Sequence, residues 1–518
     1  MTPSNNWRSW LLAGTMLFFV TLLLYWLRVV NLQDESWFLW ITQRMRQGDV
    51  PYRDFFLGVL PLPIWATFFA SHIVGVHLFA IRLVNAFAFA VTVVLACFVF
   101  AHIYGRKQFP KWFAVANLLI AMPPPSAPYE PLAYMFVMAN LASIVTGQNS
   151  LGEPKRARLW LSLSGLSCGL AFACKHNLGA YSFATAIAIV FLSPLELKRK
   201  IEISFSVAIT FGLTVAIFLL PILLTGSWNP FWDYVFANKV NYLHHAQVPF
   251  TKNLADLVKW FSVLFSQPSH EAIRHVLQLQ SAWLPVLAFI TLPVIFAKRN
   301  RLGQHLALAI SFHVSLAIIA LYPHAGRSHI LHAVPFYILG IACAAFCLRN
   351  EVWFEPIWKL RHVAKWLMLA MLVFTVAFLF IRVQKGTLQP INLPHFNGML
   401  VRSRDLPQIL SDVENLKSYQ RQNEPVFLMF PKAGFFYLTV GLKNPTPYDI
   451  PSPTSVGLRG EEKIIAAIKR KEIKAVIMPE EGIGLKKVEV FVRSQMVASK
   501  KLNIGTMYEL TERKRVLR

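Results

Sequence analysis

Ionisable side chains lie directly beside several of the long apolar runs of this chain. Acidic residues follow the first run and open the fourth, and a Lys-His pair closes the fifth. A charge at membrane depth costs about 2.5–3.5 kcal/mol on insertion scales, so a set of such residues indicates a functional site. Carboxylates can orient or deprotonate a hydroxyl, whereas lysine and arginine bind phosphate. The candidate residues are Asp34, Glu35, Tyr52, Asp54, Tyr129, Glu130, Lys175, His176, His244, Arg327 and His329.

Each of these residues also has a purely structural interpretation. The acidic pair after the first run can cap a surface helix, and Glu130 can cap the fourth span beside its prolines. Lys175 can extend its charged end from a helix terminus to the membrane interface, and Arg327 can simply flank a span. The adjacent His244-His245 pair lacks the i, i+4 spacing of a helix-borne metal pair, so the sequence predicts no metal site.

The composition identifies a membrane protein. Of the 518 residues, 55% are hydrophobic and only 15% are charged, against about 25% charged in ordinary globular chains. This excludes a disordered or a purely soluble protein. The net charge of +25 comes from short basic clusters between apolar runs, which favours anionic lipid rather than nucleic acid as the partner. All five cysteines lie inside apolar runs, so we interpret them as small buried hydrophobes and not as a disulfide framework.

The apolar runs predict a polytopic α-helical membrane protein with about eleven spans. Several runs are nearer 15 than 20 residues in length. The first run is too long for a signal-peptide core and no small-residue cleavage site follows it, so we expect it to remain as an anchor. The runs are Trp10–Val30, Leu83–Tyr104, Trp112–Met122, Leu132–Val145, Leu159–Cys174, Leu178–Leu192, Ile203–Leu224, Ala282–Ala297, His305–Tyr322, Ile330–Leu348 and Trp366–Ile381.

Basic residues collect in every second gap between these runs, and short basic loops stay in the cytoplasm. This predicts a cytoplasmic N-terminus, with the loop at residues 31–80 and the tail after Ile381 on the outer face. We interpret Val59–Ala80 as an interfacial helix, because inserting it would turn every basic loop outward. The basic gaps hold Arg106-Lys107, Lys155-Arg156, Lys198-Arg199-Lys200, Lys298-Arg299 with Arg301, and Arg349 with Lys359 and Arg361.

The last part of the chain, residues 384–518, has dense charge and short alternating helix and strand patterns. These predict a small extracytoplasmic α/β domain beside a transmembrane catalytic domain at residues 1–383. Four prolines between 445 and 453 indicate a long loop between the two halves of the tail. The predicted elements are helices at Leu406–Tyr419 and Glu461–Lys471 and strands at Val426–Phe430, Lys474–Met478 and Met507–Leu510.

Three ordered motifs connect the candidate residues to a known family. They are Asp34-Glu35 followed by Pro51-Tyr52-Arg53-Asp54, then Tyr129-Glu130-Pro131, then Gly169-Leu170-Ala171-Phe172-Ala173-Cys174-Lys175. Over nearly its whole length the chain resembles the GT-C glycosyltransferases that use polyprenyl-phosphate sugars, a group that includes aminoarabinose transferases and protein O-mannosyltransferases. The tail is similar to the outer-face domain of bacterial members. Relatives commonly have tyrosine directly after the equivalent of Arg327, and glutamine or glycine at the position of His176.

The resemblance implies a glycosyltransferase in the plasma (inner) membrane that moves a sugar from a polyprenyl-phosphate donor to a lipid, glycan or protein acceptor at the outer face. Asp34 matches the family's catalytic aspartate, and Glu35 and Glu130 are expected to assist it. Lys175 and Arg327 would stabilise the departing phosphate. Attack opposite the phosphate would invert the anomeric centre. The expected substrate-binding residues also include Tyr52, Asp54, Tyr129, His176, His244 and His329. Some GT-C branches use a divalent cation and others do not, so the cofactor is left open.

Two other functions compete with sugar transfer. A flippase or transporter of lipid-linked sugars also needs polar groups facing a cavity, but such proteins tend to have paired halves with matching broken helices, and the sequence has no such repeat. An O-antigen polymerase or ligase also uses a large outer loop with arginines. The acidic pair immediately after the first span favours transfer from polyprenyl phosphate.

Overall fold

The computed structural model of the protein describes residues 7–105, 108–267, 280–322, 324–421 and 425–510. Every apolar run predicted from the sequence forms a helix. Arg106 and Lys107, which form one of the predicted basic gaps, lie outside the described residues. The first helices are α1 (Trp7–Trp26), α2 (Asp34–Arg46), α3 (Leu62–Val74), α4 (Leu78–Ile103), α5 (Lys111–Ala121), α6 (Tyr129–Asn149), α7 (Pro154–Cys174), α8 (His176–Leu192) and α9 (Leu197–Leu224).

Short helices follow α9 before the chain returns to long apolar ones. A π-helical turn at Asp233–Ala237 separates α10 from α11, and a 3-10 turn at Val352–Phe354 precedes α17. The short and long helices of this part of the chain are α10 (Trp228–Trp232), α11 (Lys239–His245), α12 (Phe250–Ser266), α13 (Gln280–Ala297), α14 (Arg299–Leu302), α15 (Gln304–Ile319), α16 (Arg327–Leu348), α17 (Glu355–Lys359) and α18 (Arg361–Gln384).

Six helices among the described residues, namely α1, α4, α7, α9, α16 and α18, are long and apolar enough to cross a membrane, and five shorter apolar helices accompany them. The chain is therefore a multi-pass membrane protein, while the count of about eleven spans stays a prediction. Helix α9 exposes Phe205, Leu213 and Ile217, and α18 exposes Trp366 and Phe374. Large apolar side chains on the outside of a helix bundle are what a bilayer would cover.

Small residues bring α7 and α9 together. A methyl group added at Gly165 would lie 2.3 Å from the carbonyl oxygen of Val207, and one added at Gly169 would lie 2.6 Å from Cβ of Thr214. Only glycine lets the two backbones approach this closely, as is common between helices in membranes. Gly169 of the third motif and Gly165 one turn before it therefore position the helix that leads to Lys175.

A polar network lies deep in the helix bundle and is fully paired. The Asn140 amide donates to Oγ of Ser182 at 2.7 Å and to Nε2 of His313 at 3.1 Å, and Ser164 donates to Oδ1 of Asn140. The other ring nitrogen of His313 bonds the Ala309 carbonyl. Hydrogen bonds of this kind hold membrane helices together. We therefore assign this network to helix packing.

The tail forms a β-hairpin and a four-stranded sheet with helices. Strand β1 (Leu388–Ile391) pairs antiparallel with β2 (Met399–Arg402). The sheet has the order β3-β4-β6-β5, and only the β3–β4 pair is parallel. The elements are α19 (Leu406–Arg421), β3 (Val426–Leu428), α20 (Ala433–Val440), α21 (Gly460–Lys469), β4 (Ala475–Met478), α22 (Lys486–Gln495), β5 (Val497–Leu502) and β6 (Gly505–Glu509). The five predicted elements are present, whereas the hairpin, α20, α22 and β5 were not predicted.

The tail shares an apolar core with the segment at residues 31–80. Phe38 and Ile41 of α2 are buried in the same cluster as Phe427 and Phe435 of the tail. The α2 and α20 backbones are close, since a methyl group at Gly434 would lie 3.1 Å from the carbonyl oxygen of Ser36. The helix that begins at Asp34 is therefore held by the tail. The division of the chain at residue 384 stays a prediction.

Candidate functional site

Three helix ends meet around one buried carboxylate. Glu130 lies in the first turn of α6 and is only 4% exposed. Both Nζ of Lys175 and Nδ1 of His329 contact its Oε1, and Nε2 of His332 lies 4.0 Å from its Oε2. We call these four residues the Glu130 cluster. A buried carboxylate requires such partners, because removing a charge from water without them is costly.

The chain folds sharply to place Lys175. This residue has an extended backbone and is the one residue between α7 and α8. Helix α8 then returns against α7 so closely that a methyl group at Gly179 would lie 2.2 Å from Cα of Phe172. The glycine is therefore required at this junction. The ammonium of Lys175 lies at the end of α7, opposite the basic residues Lys155 and Arg156 at its start.

Tyr129 connects the Glu130 cluster to α2. Its ring stacks on Phe38 with the ring centroids 6.4 Å apart, and Nζ of Lys175 lies 6.0 Å from the Tyr129 ring centroid. The first contact joins the start of α6 to the helix that begins at Asp34. The second is in the range of a cation–π interaction. The predicted Tyr129 therefore lies inside the site.

Asp34 begins α2 beside this cluster. Asn31 accepts a hydrogen bond from the Asp34 backbone N–H at 3.0 Å, and its amide donates to Oδ2 of Asp34 at 3.0 Å and to the Pro125 carbonyl at 3.1 Å. Asn31 thus bonds the helix start, and the Asp34 side chain makes no capping bond of its own. Burial raises the pKa of Asp34, while Asn31 and the nearby His329 partly offset this effect. A carboxylate with a raised pKa is a stronger base.

Glu35, the neighbour of Asp34, lies in a buried ion pair. Its side chain is fully buried and forms a two-pronged ion pair with the equally buried Arg82, with Nε–Oε1 at 2.9 Å and the second contact at 3.1 Å. The Asn31 backbone N–H also donates to it. Arg82 in turn donates to the Tyr25 carbonyl at the end of α1. In this structure both oxygens of Glu35 are therefore occupied by Arg82 and Asn31, and its predicted catalytic role stays a prediction.

Further basic groups border the Glu130 cluster. Lys239 of α11 lies 3.4 Å from the Gly58 carbonyl oxygen and 5.2 Å from the Tyr242 ring centroid. Burial, together with the nearby Lys175, lowers the pKa of Lys239 to about 8. The His324 ring centroid is 4.6 Å from that of His329. Sequence reasoning missed Lys239, Tyr242 and His324, because no pattern distinguishes them from other loop residues.

Arg327 is exposed at the start of α16 and makes no hydrogen bond or ion pair with any described residue. Burial raises the pKa of Tyr242 to about 12, and the charge of Glu130 contributes to this rise. Tyr242 therefore lies near the cluster. Lys175, Lys239 and Arg327 bring three cationic groups to this region, whereas Asp34 and Glu130 supply two carboxylates. Such an excess favours an anionic ligand.

The other predicted residues are not joined to the Glu130 cluster by hydrogen bonds or ion pairs among the described residues. Tyr52 is buried with a left-handed backbone, and its hydroxyl donates to the Val59 carbonyl at 2.8 Å. Asp54 pairs with Arg53 at 2.9 Å, which lowers the pKa of Asp54. His244 is exposed at the end of α11. His176 follows Lys175 directly, with its ring 5.4 Å from that of Phe236.

An apolar groove of about 520 Å³ lies next to the cluster. Two of its lining residues, Val248 and Ala325, lie next to His324. Val248 pairs with His324 in a β-bridge, and the backbone N–H of Ala325 donates to the Val248 carbonyl at 2.8 Å. The groove therefore begins where the cationic region ends. Its lining includes Phe250, Pro285, Phe289, Ile318 and Tyr322.

The described part of the chain contains no group of three or more His, Cys, Asp or Glu residues that could hold a metal ion. At the Glu130 cluster, Lys175 and His329 already contact the carboxylate. An ammonium group in contact with a carboxylate supplies the positive charge that a cation would bring there. Whether the protein uses a divalent cation stays the open question that the sequence raised.

Comparisons with known proteins give structural matches only. The chain matches no protein-family model and no curated protein. An Archaeoglobus fulgidus oligosaccharyltransferase tethered with an acceptor peptide superposes with a TM-score of 0.52 at 11% identity, covering 98% of this chain and 74% of that one. The oligosaccharyltransferase AglB from the same organism, in complex with an inhibitory peptide and a dolichol-phosphate, gives a TM-score of 0.50 at 11% identity, covering 99% of this chain and 76% of that one.

ArnT from Cupriavidus metallidurans bound to undecaprenyl phosphate is a third match, with a TM-score of 0.45 at 12% identity over 98% of this chain and 99% of that one. At these identities the matches concern the fold alone. Of the three structures, the two archaeal ones superpose with the higher TM-scores. These two superpositions cover 98% and 99% of this chain. The chain therefore shares the fold of these archaeal oligosaccharyltransferase structures, which agrees with the resemblance to the GT-C glycosyltransferases in its sequence.

Proposed function

We propose that the protein transfers a sugar from a polyprenyl-phosphate donor to an acceptor hydroxyl. The observation that carries this proposal is the junction of a cationic region with an apolar groove at His324. A lipid-linked sugar phosphate has a charged head and a long apolar chain, so both parts of the ligand have a matching surface. The dolichol-phosphate bound by the archaeal AglB structure is a ligand of this class.

The cations would stabilise the leaving group. As the bond between the anomeric carbon and the phosphate oxygen breaks, negative charge grows on the phosphate. Lys175, Lys239 and Arg327 are placed to balance that charge, which is the electrostatic contribution that usually dominates. Glu130 would act as a positioning residue, because it holds Lys175 and His329 and has both oxygens near basic groups. The donor leaves as polyprenyl phosphate.

Asp34 would act on the acceptor. The acceptor oxygen bonds to the anomeric carbon as its proton passes to the Asp34 carboxylate, a role that typically contributes about 10²–10⁴-fold. The raised pKa of Asp34 suits this base, and Oδ1 accepts no hydrogen bond from a described residue. Attack on the side opposite the phosphate would invert the anomeric centre.

The reaction would take place at the outer face of the plasma (inner) membrane. The basic residues Lys155 and Arg156 lie at the start of α7, whereas Lys175 lies at its end. In α16 the order is reversed, with Arg327 first and Arg349 directly after the last turn. Basic loops stay in the cytoplasm, which supports a cytoplasmic N-terminus with the Glu130 cluster and the tail on the outer face. Alkaline phosphatase fused after Gln384 should be active, and an inactive fusion there would overturn the orientation.

Reconstitution with a labelled polyprenyl-phosphate sugar tests the proposed function against its competitors. Purified protein in liposomes should release polyprenyl phosphate and label an acceptor from a total lipid and glycan extract. Labelled lipid that only changes leaflet would identify a flippase, and an extended polymer would identify a polymerase. Mass spectrometry of the labelled product would then name the acceptor, which is a lipid, a glycan or a protein.

A further inference from the structure

A second cavity lies far from the Glu130 cluster, between the C-terminal half of α2 and the tail. Its volume is about 440 Å³, within the range of about 300–1,000 Å³ that small-molecule sites occupy. Unlike the apolar groove, its lining is mostly polar. The polar residues of the lining include Gln43, Arg44, Gln47, Asp49, Lys443 and Asn444.

The floor of this cavity is a buried and fully paired network. Asp449 has no exposed surface and accepts hydrogen bonds from Arg44 at 3.1 Å, from the Trp40 indole at 2.7 Å and from the Asn444 amide at 2.7 Å. Arg44 also pairs with Asp49 at 2.7 Å. Satisfied networks of this kind are rigid. The cavity is therefore a built feature of the interface and not a loose gap between the tail and α2.

The rim, in contrast, offers groups with open hydrogen-bonding capacity. The side chains of Gln43, Gln47 and Lys443 form no hydrogen bond or ion pair with the described residues. One oxygen of Asp49 is taken by Arg44, and the other is open. Two amides supply donors and acceptors together, while the ammonium donates and the carboxylate accepts. The rim can therefore bond to groups that both donate and accept.

The charge balance distinguishes between ligand classes. Arg44 is neutralised by the buried Asp449, so the floor presents no free positive charge. On the rim, Lys443 and Asp49 carry opposite charges. An anion such as a phosphate would find one lysine beside a carboxylate, which is a poor site. A neutral ligand rich in hydroxyls meets donors and acceptors in equal measure.

We propose that this cavity binds a neutral saccharide, as the part of a glycan acceptor that lies away from the reacting hydroxyl. This inference rests on the proposed function and specifies a glycan as the acceptor. Helix α2 connects the two places, because Asp34 is its first residue and Gln43 lies nine residues further along, or about 14 Å at about 1.5 Å per residue. One rigid helix thus carries the proposed base at one end and saccharide contacts at the other.

Two measurements on the full-length protein in nanodiscs test this assignment. The first is binding to a printed array of oligosaccharides from microbial cell envelopes, and the second is the transfer assay with the glycan acceptor. Gln43→Ala with Gln47→Ala should abolish the array signal. The same double variant should raise the acceptor KM roughly tenfold, as expected for two lost neutral hydrogen bonds. Both donor binding and kcat should be preserved, because neither residue touches the Glu130 cluster.

Gln495→Ala is the matched control, since Gln495 is exposed at the end of α22 and lies outside the cavity lining. An array signal and an acceptor KM that are the same in the double variant and in this control would overturn the saccharide site. Array binding that depends on Gln43 and Gln47, in a protein with no transfer activity, would support the cavity and refute the proposed function. The two proposals therefore fail separately.

Discussion

Two buried carboxylates, Glu35 and Glu130, lie on the same side of the helix bundle and differ in what surrounds them. Glu35 is sealed, because it and Arg82 are both fully buried and pair with each other through two contacts. Glu130 is nearly as buried, yet its partners Lys175 and His329 keep part of their surface exposed, and further basic groups border them. The first arrangement joins α2 to α4 and leaves no atom free. The second leaves the Lys175 and His329 side chains partly exposed, so that their positive charge is accessible.

The difference shows that burial alone does not separate a structural ion pair from a binding site. What separates them is whether the partners retain exposed donors and whether the charges cancel. At Glu35 one carboxylate meets one guanidinium, so no charge is left over. Around Glu130 the cations outnumber the carboxylates, and an anion is needed to complete the balance.

The adjacent residues Asp34 and Glu35 should respond in opposite ways, and the larger effect is expected at Asp34. Asp34→Asn keeps the size of the side chain and its contact with Asn31 but cannot accept a proton. We expect transfer to fall by about 10²–10⁴-fold, with unfolding in detergent unchanged. Retention of most of the activity in a reconstituted transfer assay would remove Asp34 from the chemistry.

The sealed pair should control folding. Glu35→Gln leaves the buried Arg82 without a counter-charge, and such changes cost about 3–5 kcal/mol of stability. We expect a large loss of folded protein, measured by size-exclusion chromatography after heating in detergent. Glu130→Gln is the matched change in the open cluster, and it should cost less because Lys175 and His329 can gain water. Equal losses for the two variants would erase the contrast between the regions.

Lys175 tests the open cluster directly. Lys175→Gln removes a charge-assisted hydrogen bond worth about 1.5–3 kcal/mol, so donor affinity should fall roughly tenfold to a hundredfold. Lys175→Arg should retain more binding than Gln, although its planar fork need not fit a site that holds a compact ammonium. Donor binding in nanodiscs would measure this series. Equal affinities for all three proteins would assign Lys175 to the membrane interface.

The smallest effect concerns pH. Lys239, whose pKa is lowered to about 8 by burial and by Lys175, is charged below that pH and loses its charge above it. Donor affinity should therefore weaken several-fold as the pH rises through 8, whereas the phosphodiester of the donor does not titrate there. In Lys239→Met this dependence should disappear. A wild-type affinity that is constant from pH 7 to pH 9 would exclude Lys239 from donor binding.

The acid side of the activity profile tests Asp34 in the same way. Because burial raises the pKa of Asp34, its carboxylate becomes protonated at a higher pH than an exposed aspartate would. Activity should therefore be lost, as the pH falls, before an exposed aspartate would titrate. The measurement is the kcat of transfer across the acidic range. A profile whose acid limb lies at the usual value for aspartate would contradict the burial of the base.

The helices could be predicted from the sequence, because a run of apolar residues of sufficient length has few alternatives in a membrane. Helix α20, with the sequence AGFFYLTV, was missed for the opposite reason. It is short, apolar on every side and rich in residues that favour strands, so its pattern cannot distinguish the two states. Packing against Ser36 and Trp37 favours the helix over the strand, and no pattern within the segment predicts that contact.

The site was predicted in part for a similar reason. Tyr129, Glu130 and Lys175 lie at the ends of apolar runs, where a polar or charged side chain is easily recognised in the sequence. The sequence could not show which of Asp34 and Glu35 faces inward, since that depends on Arg82, which lies 47 residues further along the chain. Lys239 begins the short helix α11, whose seven residues show no clear apolar periodicity, and only folding brings it near Lys175.

A cryo-EM structure of the protein in nanodiscs with a non-hydrolysable polyprenyl-phosphate sugar would test the central claim most directly. We predict phosphate density beside Lys175 and Lys239, with the isoprenoid chain leading into the groove past His324. The sugar should lie on the side of Asp34, and the Glu35–Arg82 pair should be unchanged. Phosphate bound at the opposite ends of the helices, near Lys155 or Arg349, with the groove empty, would contradict the account.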